Sequence, residues 1–416
     1  MIAACVALAL AAPPPSLRLA DLLREARERN PDLKAAQAHL RAANESLPAA
    51  GALDDPMLTV QLWNAPVDFS TVPLMVELSQ TIPLGGKRGA RTDLARADAS
   101  RAEADLATIQ REIETQVASA YFDLFLAERT QAVNDDLETI LKVLQHTSEV
   151  RVSHGKGEQL ELLRAQASLL QLRAQQETAV DRRKSAWARL AALVDRNPAT
   201  PAGPTTAPDA MLPIPDLDTL QGHALKGRPE LAGARARVAA AEAQARLAKA
   251  ESIPDLDLFL AGMHEFESTA SVTNFLFAGF RIKLPIFGGG RSAPPASAAQ
   301  AQVISAQESE RGLRNRVAAE VAEAHAHVVA ERRQIDLHHQ LVPIARQVVE
   351  GAQSSYAAGR GDFAMVLDSA RELRMHELEL AMHLAAYIQR LAELQRAVGE
   401  ELGVDESAET GHDQRH

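Results

Sequence analysis

Apolar residues fall at helical spacing, then at alternating spacing, then at helical spacing again, and the chain runs through that order twice. From Leu17 to Leu53, alanines and leucines recur three and four positions apart, the mark of one helical face. Pro31 near the start of this segment suits the first turn of a helix after a short break, and Pro56 closes it. The period then drops to two. Leu58, Val60 and Leu62 alternate with Thr59, Gln61 and Trp63, and Leu74, Val76 and Leu78 alternate with Met75, Glu77, Ser79 and Thr81. This predicts two strands with one apolar and one wet face, so that Val76 faces away from water and Glu77 is a wet position that tolerates arginine. Each segment is about ten residues long, enough for a tilted strand to cross a bilayer, and the intervening loop Asn64 to Pro73 is polar and short. Ala90 to His154 contains neither proline nor glycine, with apolar positions at Ile109, Ile113, Val117, Ala120, Leu124, Leu137, Leu141 and Leu144. That is coiled-coil spacing, and at 1.5 Å per residue it predicts a rod of roughly 100 Å that needs partners along its length. Gly155-Lys156-Gly157 ends it, and a helix from Glu158 to Asp195 returns antiparallel.

The second half repeats this order. Leu217 to Ser252 reads as a helix with Pro229 near its start and Pro254 after its end. Leu256, Leu258 and Leu260 alternate with Asp255 and Asp257; Ala278, Phe280, Ile282 and Leu284 alternate with Gly279, Arg281 and Lys283, across the loop His264 to Thr273. A second rod, Ala296 to Ala358, is less regular because of Gly312, Pro343 and Gly351; Gly359-Arg360-Gly361 ends it, and Asp362 to Leu402 returns. The two halves match at several motifs. Asn30-Pro31-Asp32-Leu33 returns 198 positions later as Arg228-Pro229-Glu230-Leu231, and Pro56-Met57-Leu58 as Pro254-Asp255-Leu256. At an offset of 204, Ile113, Val117, Ala120 and Leu124 become Val317, Val321, Ala324 and Val328, and Gly155-Lys156-Gly157 becomes Gly359-Arg360-Gly361. A unit of about 200 residues is far longer than a solenoid repeat. It is a duplicated domain, and its pseudo-symmetry suits a closed ring better than an active site. The resulting division is 1–15, a signal peptide; 16–196, the first repeat; 197–216, a linker; 217–403, the second repeat; and 404–416, an acidic, histidine-tipped and disordered tail.

Composition sharpens this picture. Aromatic residues are only 4% of the 416 and charged residues 24%, a balance that favours long helices packed side by side. The net charge of −11, with no basic stretch interleaved with aromatics, argues against nucleic acid as a partner. Ile2 to Ala12 is continuously apolar and is followed by Pro13-Pro14-Pro15. The run is too short to span a bilayer and reads as the core of a secretory signal, although a positive leading region is missing. Ile2-Ala3-Ala4-Cys5 also fits a lipoprotein cleavage box, so acylation of Cys5, the single cysteine, stands beside simple signal removal. Later in the chain no run reaches 18 consecutive apolar residues, which excludes a helical membrane span but not a β-barrel.

Candidate chemistry is sparse. Gly85-Gly86-Lys87-Arg88 lacks the spacing of a phosphate loop and reads as a strand-to-helix turn. His325-x-His327 and His338-His339 point to different helix faces. Met375-His376 and Met382-His383 recur at i+7 on one face, either as packing or as a transient metal contact. His376-Glu377-Leu378-Glu379-Leu380 is not a zincin motif. With no Gly-x-Ser-x-Gly, catalytic cysteine or acid/base pair, the reading is not an enzyme, with no cofactor and no resident metal.

With these residues in view, the chain resembles the TolC family of outer membrane efflux proteins from about Leu17 to Gly403. The resemblance is carried by Asn30-Pro31-x-Leu33 and Pro229-Glu230-Leu231, by Glu77 to Arg88, by Phe280 to Arg291 with Gly288-Gly289-Gly290-Arg291, and by Tyr356-Ala357-Ala358-Gly359 followed by Val366-Leu367-Asp368. The Gln80 to Arg88 form is most like the branch that serves cobalt–zinc–cadmium (heavy-metal) efflux pumps. The resemblance implies a mostly α fold with a small β part: a homotrimer with four strands per chain in a twelve-stranded outer membrane barrel, and long helices forming a periplasmic tunnel belted by the linker. It implies a passive export duct for metal ions or small molecules, in contact with outer membrane lipid. The partners it implies are a periplasmic adaptor, docked at tips formed by Gly155, Lys156, Gly157, Tyr356, Gly359, Arg360 and Gly361, and an inner membrane pump of RND type. It also implies a constriction at Asp368, whose counterpart in the first half is Arg164; the two would form a lock between neighbouring helices. The alternatives are a soluble periplasmic coiled-coil scaffold and the outer membrane duct of a type I protein secretion system.

Overall fold

A computed structural model describes residues 16–62, 73–207, 211, 213–266, 272–283, 293–400 and 402. The apolar N-terminal run with Cys5, most of both strand-to-strand loops, Gly288-Gly289-Gly290-Arg291 and the tail 404–416 lie outside the described residues. The element order is α1 (Leu19–Arg29), α2 (Pro31–Ala50), β1 (Met57–Leu62), β2 (Leu74–Ile82), α3 (Lys87–Ser153), α4 (Gln159–Leu193), α5 (Leu217–Gly227), α6 (Pro229–Ala250), β3 (Leu256–Phe266), β4 (Val272–Ile282), α7 (Ala293–Ala357) and α8 (Phe363–Val398). Helices dominate, as the spacing predicts, and each half contributes four helices and two strands.

The short breaks expected before Pro31 and Pro229 are present. Leu17 to Leu53 breaks at Asn30, where ψ is 127°, and Leu217 to Ser252 breaks at Arg228, where ψ is 122°. The following proline drives the residue before it out of the helical region. Asn30 turns the break into a cap: its Oδ1 accepts from the amides of Asp32 (2.9 Å) and Leu33 (3.3 Å), and its Nδ2 donates to the Leu193 carbonyl at 2.9 Å. By contrast, α7 runs unbroken through Pro343.

The elements form two compact units, one of residues 1–34, 108–228 and 316–416 and the other of residues 35–107 and 229–315, so each unit draws on both repeats. The second unit contains one four-stranded antiparallel sheet in the order β1-β2-β3-β4. β1 covers six residues and β3 and β4 eleven each. β3 outlasts its visible alternation because Ala261 and Gly262 carry no hydropathy signal. The turn from β2 into α3 is built by Gly85-Gly86-Lys87-Arg88. Gly85 and Gly86 take φ of 71° and 80°, which L side chains adopt only with strain. Lys87 is buried, and its Nζ reaches both Asp255 Oδ1 and the Ile253 carbonyl at 2.7 Å. Arg88 donates twice to the Gly51 carbonyl, at 2.9 and 2.7 Å. Lys87 thus pins this turn to the segment that leads from α6 into β3 in the second half. In the same unit Arg246 of α6 pairs with Asp93 of α3 at 2.9 Å.

The first unit is held by the predicted coiled-coil stripe. Ile113, Val117, Ala120, Leu124, Leu137, Leu141 and Leu144 are all buried, as are Val317, Val321, Ala324 and Val328; only Ile109 is half-buried. Each buried valine or leucine contributes roughly 1.5–3 kcal/mol relative to exposure. Arg196 clamps Glu25 with two contacts, at 3.0 and 2.5 Å. The proline-rich stretch after α4 is strapped to this core rather than loose. Leu17 and Thr205 form an isolated parallel bridge. The buried Tyr121 hydroxyl lies 2.9 Å from the Leu17 and Thr206 carbonyls and accepts from the Thr206 amide at 2.9 Å. Glu128 accepts from the Thr205 amide (2.8 Å) and hydroxyl (2.6 Å), and Trp187 Nε1 donates to the Thr200 carbonyl at 2.8 Å.

Tyr121→Phe removes the hydroxyl that ties this strap down and strands its buried partners, at a cost of about 1–3 kcal/mol. The expected result is faster amide hydrogen exchange at Thr205 and Thr206 with α3 and α4 unchanged. Exchange equal to that of the unmodified chain would show that the strap is held elsewhere.

Candidate functional site

The sheet carries its apolar side outward. Register places Leu58 opposite Leu78, Val60 opposite Val76, Leu78 opposite Leu260, Leu258 opposite Phe280, and Gly262 opposite Leu276, all on one face. That face is exposed: Leu58 63%, Phe280 67% and Leu276 78%. On the opposite face Glu77, Ser79 and Ala261 are buried, at 6%, 3% and 0%. An ordinary soluble sheet does the reverse.

The polar face is organised around Arg281. Its Nη2 meets Glu77 Oε1 of β2 at 2.5 Å and its Nε meets Asp257 Oδ2 of β3 at 2.8 Å, so one guanidinium joins three strands. It also lies over the Phe259 ring, 4.9 Å from the centroid. Gly279 makes room for that ring: a Cβ there would stand 2.7 Å from Phe259 Cζ. Sequence reading marks Glu77, Asp257 and Arg281 as wet. It does not show that they pair, because the register that aligns them is set by turns of unknown geometry. The expectation that Glu77 tolerates arginine is therefore corrected, since the new side chain would be buried against Arg281.

The helix turns lie in the other unit. Gly155 and Gly359 take φ of 69° and 73° and end α3 and α7. Gly157 and Gly361 serve close approach instead, since a Cβ would meet Arg151 Cβ at 2.9 Å in one turn and the Tyr356 amide nitrogen at 2.8 Å in the other. The two turns are fastened to each other. Arg151 Nη1 donates to the Tyr356 carbonyl at 2.9 Å, and its guanidinium lies 4.7 Å from the Tyr356 ring centroid. The Tyr356 hydroxyl donates to Glu161 Oε2 at 2.7 Å and lies 3.0 Å from Ser148 Oγ. Burial pushes the Tyr356 pKa up, so this donor stays protonated. Below it, Leu144, Leu169, Phe363 and Val366 pack in one apolar cluster. Lys156 and Arg360 are exposed, whereas Tyr356 is buried.

Arg164 and Asp368 line one groove with Phe363, Leu367 and Arg371. They do not pair within the chain; the partner of Asp368 is Arg371, at 4.0 Å. Farther along the same unit, α7 and α8 bring together His338, His376 and His383, whose rings lie 5.8 Å (His338–His376) and 5.2 Å (His338–His383) apart between centroids. The i+7 recurrence of His376 and His383 hints at this cluster, but His338 joins it only through the pairing of the two helices. Among the described residues no helix is long and apolar enough to cross a membrane.

The model of the family described as outer membrane efflux protein matches residues 22–195 and 220–400. The cobalt-zinc-cadmium resistance protein CzcC of Cupriavidus metallidurans is 25% identical over 332 residues, covering 79% of this chain and 78% of its own. The pyoverdine export outer membrane protein OpmQ of Pseudomonas putida is 29% identical over 325 residues, covering 76% and 67%. The solved outer membrane channel OprN superposes with a TM-score of 0.77 at 22% identity, over 92% of this chain and 89% of its own. Matched in both of its halves, the chain belongs to the outer membrane efflux protein family and is the outer membrane channel component of an efflux pump, with its helical part in the periplasm.

Proposed function

We propose that three copies of the chain close a twelve-stranded barrel and form a passive duct, docked at its periplasmic end to an adaptor and through it to an inner membrane pump of RND type. The supporting observation is the sheet: an exposed apolar face, an opposite face with an ion-paired centre and two edge strands, β1 and β4. Open edges are untenable in lipid, and four strands are too few for a barrel. A soluble scaffold would have no use for that exposed face. The cargo is a metal ion or small molecule, a reading supported by relatives named for cobalt-zinc-cadmium resistance and pyoverdine export. Such a duct needs no catalysis of its own. At the tips, exposed Lys156 and Arg360 meet the adaptor beside Gly155 and Gly359, while Gly157, Gly361 and buried Tyr356 hold the turns in shape. Arg164 and Asp368, unpaired with each other within the chain, meet across subunits and narrow the tunnel.

The sheet register is tested by Val76→Arg against Gln61→Arg. An arginine on a barrel's lipid face costs roughly 2–4 kcal/mol at mid-bilayer, while the lumen side stays wet. Val76→Arg should abolish assembled trimer in the outer membrane and Gln61→Arg should leave it; equal yields would reject this orientation.

At the tips, Gly155→Ala with Gly359→Ala places two side chains in a left-handed backbone, which should lower adaptor crosslinking and export while the trimer persists. Undiminished crosslinking would remove the tips from docking.

The constriction is tested in planar bilayers. Exposed ion pairs contribute about 0–1 kcal/mol each, enough to bias a gate without locking it. Asp368→Arg should raise single-channel conductance, and combining it with Arg164→Asp should restore the low value. Conductance unchanged in the single variant would place the gate elsewhere.

A further inference from the structure

We propose that His338 of α7 with His376 and Glu379 of α8 forms a binding site for one divalent transition-metal ion of the zinc or cobalt kind. One ligand atom from each of the three lies within 4.8 Å of the others. Glu379 Oε2 is 3.3 Å from His376 Nδ1 and 3.8 Å from His338 Nδ1. Tetrahedral ligands at bonds of 2.0–2.1 Å stand about 3.3 Å apart. One edge of the site is thus already at metal-binding length, and the others need only small side-chain rotations.

The second observation is His338 itself. It is only 8% exposed, and its Nδ1 is buried without a hydrogen-bond partner. A buried ring nitrogen left unpaired is costly, and an ion would satisfy it. Burial, with His376 and His383 beside it and Glu379 opposing, holds the His338 pKa below the ordinary imidazole value, which favours the neutral ligand form. Glu372 stands 3.9 Å from His376 Nε2, and Glu331 holds His383 at 2.8 Å. Carboxylates behind histidines commonly orient them toward a metal. The imidazole–carboxylate set suits zinc, cobalt or nickel and disfavours magnesium or calcium, which take oxygen ligands.

The other repeat shows that the cluster is not generic packing of this fold. At the offset of 204, the counterparts of His338, His376 and Glu379 are Asn134, Leu172 and Gln175. Asn134 accepts a hydrogen bond from Arg374 Nε at 2.9 Å, and Leu172 is buried in the apolar tip cluster. Among the described residues the site therefore occurs once. The inference stands apart from the export reading, because it concerns metal binding by the purified protein whatever the duct carries.

The test uses the full chain, purified in detergent, stripped with a chelator and titrated with Co2+ while its d–d absorption is followed. The unmodified protein should bind one more equivalent per chain than His376→Gln/Glu379→Gln, with bands that Zn2+ abolishes and a large excess of Mg2+ does not. Glu379→Gln alone should weaken binding at least tenfold, whereas His339→Gln, an exposed neighbour on a different face, should bind as the unmodified chain does. Circular dichroism confirms that each variant is folded; if the double variant is not, Glu379→Gln alone decides. Equal stoichiometry and affinity in the unmodified and folded variant proteins, or displacement of Co2+ by Mg2+, would overturn the site.

Discussion

The four-stranded sheet sets the terms for everything else in this chain. Its backbone is satisfied between β1 and β4 but not beyond them, and its apolar face is turned outward. Water would penalise the exposed leucines and phenylalanines, and lipid would penalise the open edges. An assembly that continues the sheet on both sides, within a membrane, would relieve both penalties. Arg281, holding both Glu77 and Asp257, gives each carboxylate of this cluster a partner. The polar side can then line water without leaving an unpaired ion where the strands are closest.

Much of the fold is legible in the sequence because its elements are long and strictly periodic. The run from Ala90 to His154 has no helix breaker, and its stripe residues are buried almost without exception. The period-two segments are legible for the same reason, and the register puts their apolar residues on one face as the alternation predicts. Boundaries are less so. The breaks at Asn30-Pro31 and Arg228-Pro229 are legible from the prolines and not from the alanine spacing, since periodicity carries no information about ψ before proline.

What sequence reading misses are contacts between segments far apart in the chain. Gly85-Gly86-Lys87-Arg88 is recognisable as a turn, yet nothing in it reveals that Lys87 is buried against Asp255, 168 residues away. Tyr356 stands out in the tip motif, but its link to Glu161 spans 195 residues. His338 is next to His339 in sequence, and that adjacency points away from a common site, because neighbours on a helix diverge. Its real neighbours are on α8.

The duplication explains which of these contacts matter. Where the two halves keep the same residues, as at Gly155 and Gly359 or at buried Val117 and Val321, the requirement is geometric and applies to both. Where they differ, the residues engage each other across the pseudo-symmetry. Ser148 and Glu161, whose counterparts are Ala352 and Met365, both bind Tyr356, whose own counterpart is Val152. Arg374 binds Asn134, the counterpart of His338. A duplicated chain with two identical hairpins would have no means of choosing which hairpin packs against which. Placing Ser148, Glu161 and Asn134 on one copy and their partners Tyr356 and Arg374 on the other makes the pairing of unlike hairpins the favoured one. Polar asymmetry thus gives α3–α4 and α7–α8 distinct places in a single structure, where apolar stripes of the same spacing would leave them interchangeable.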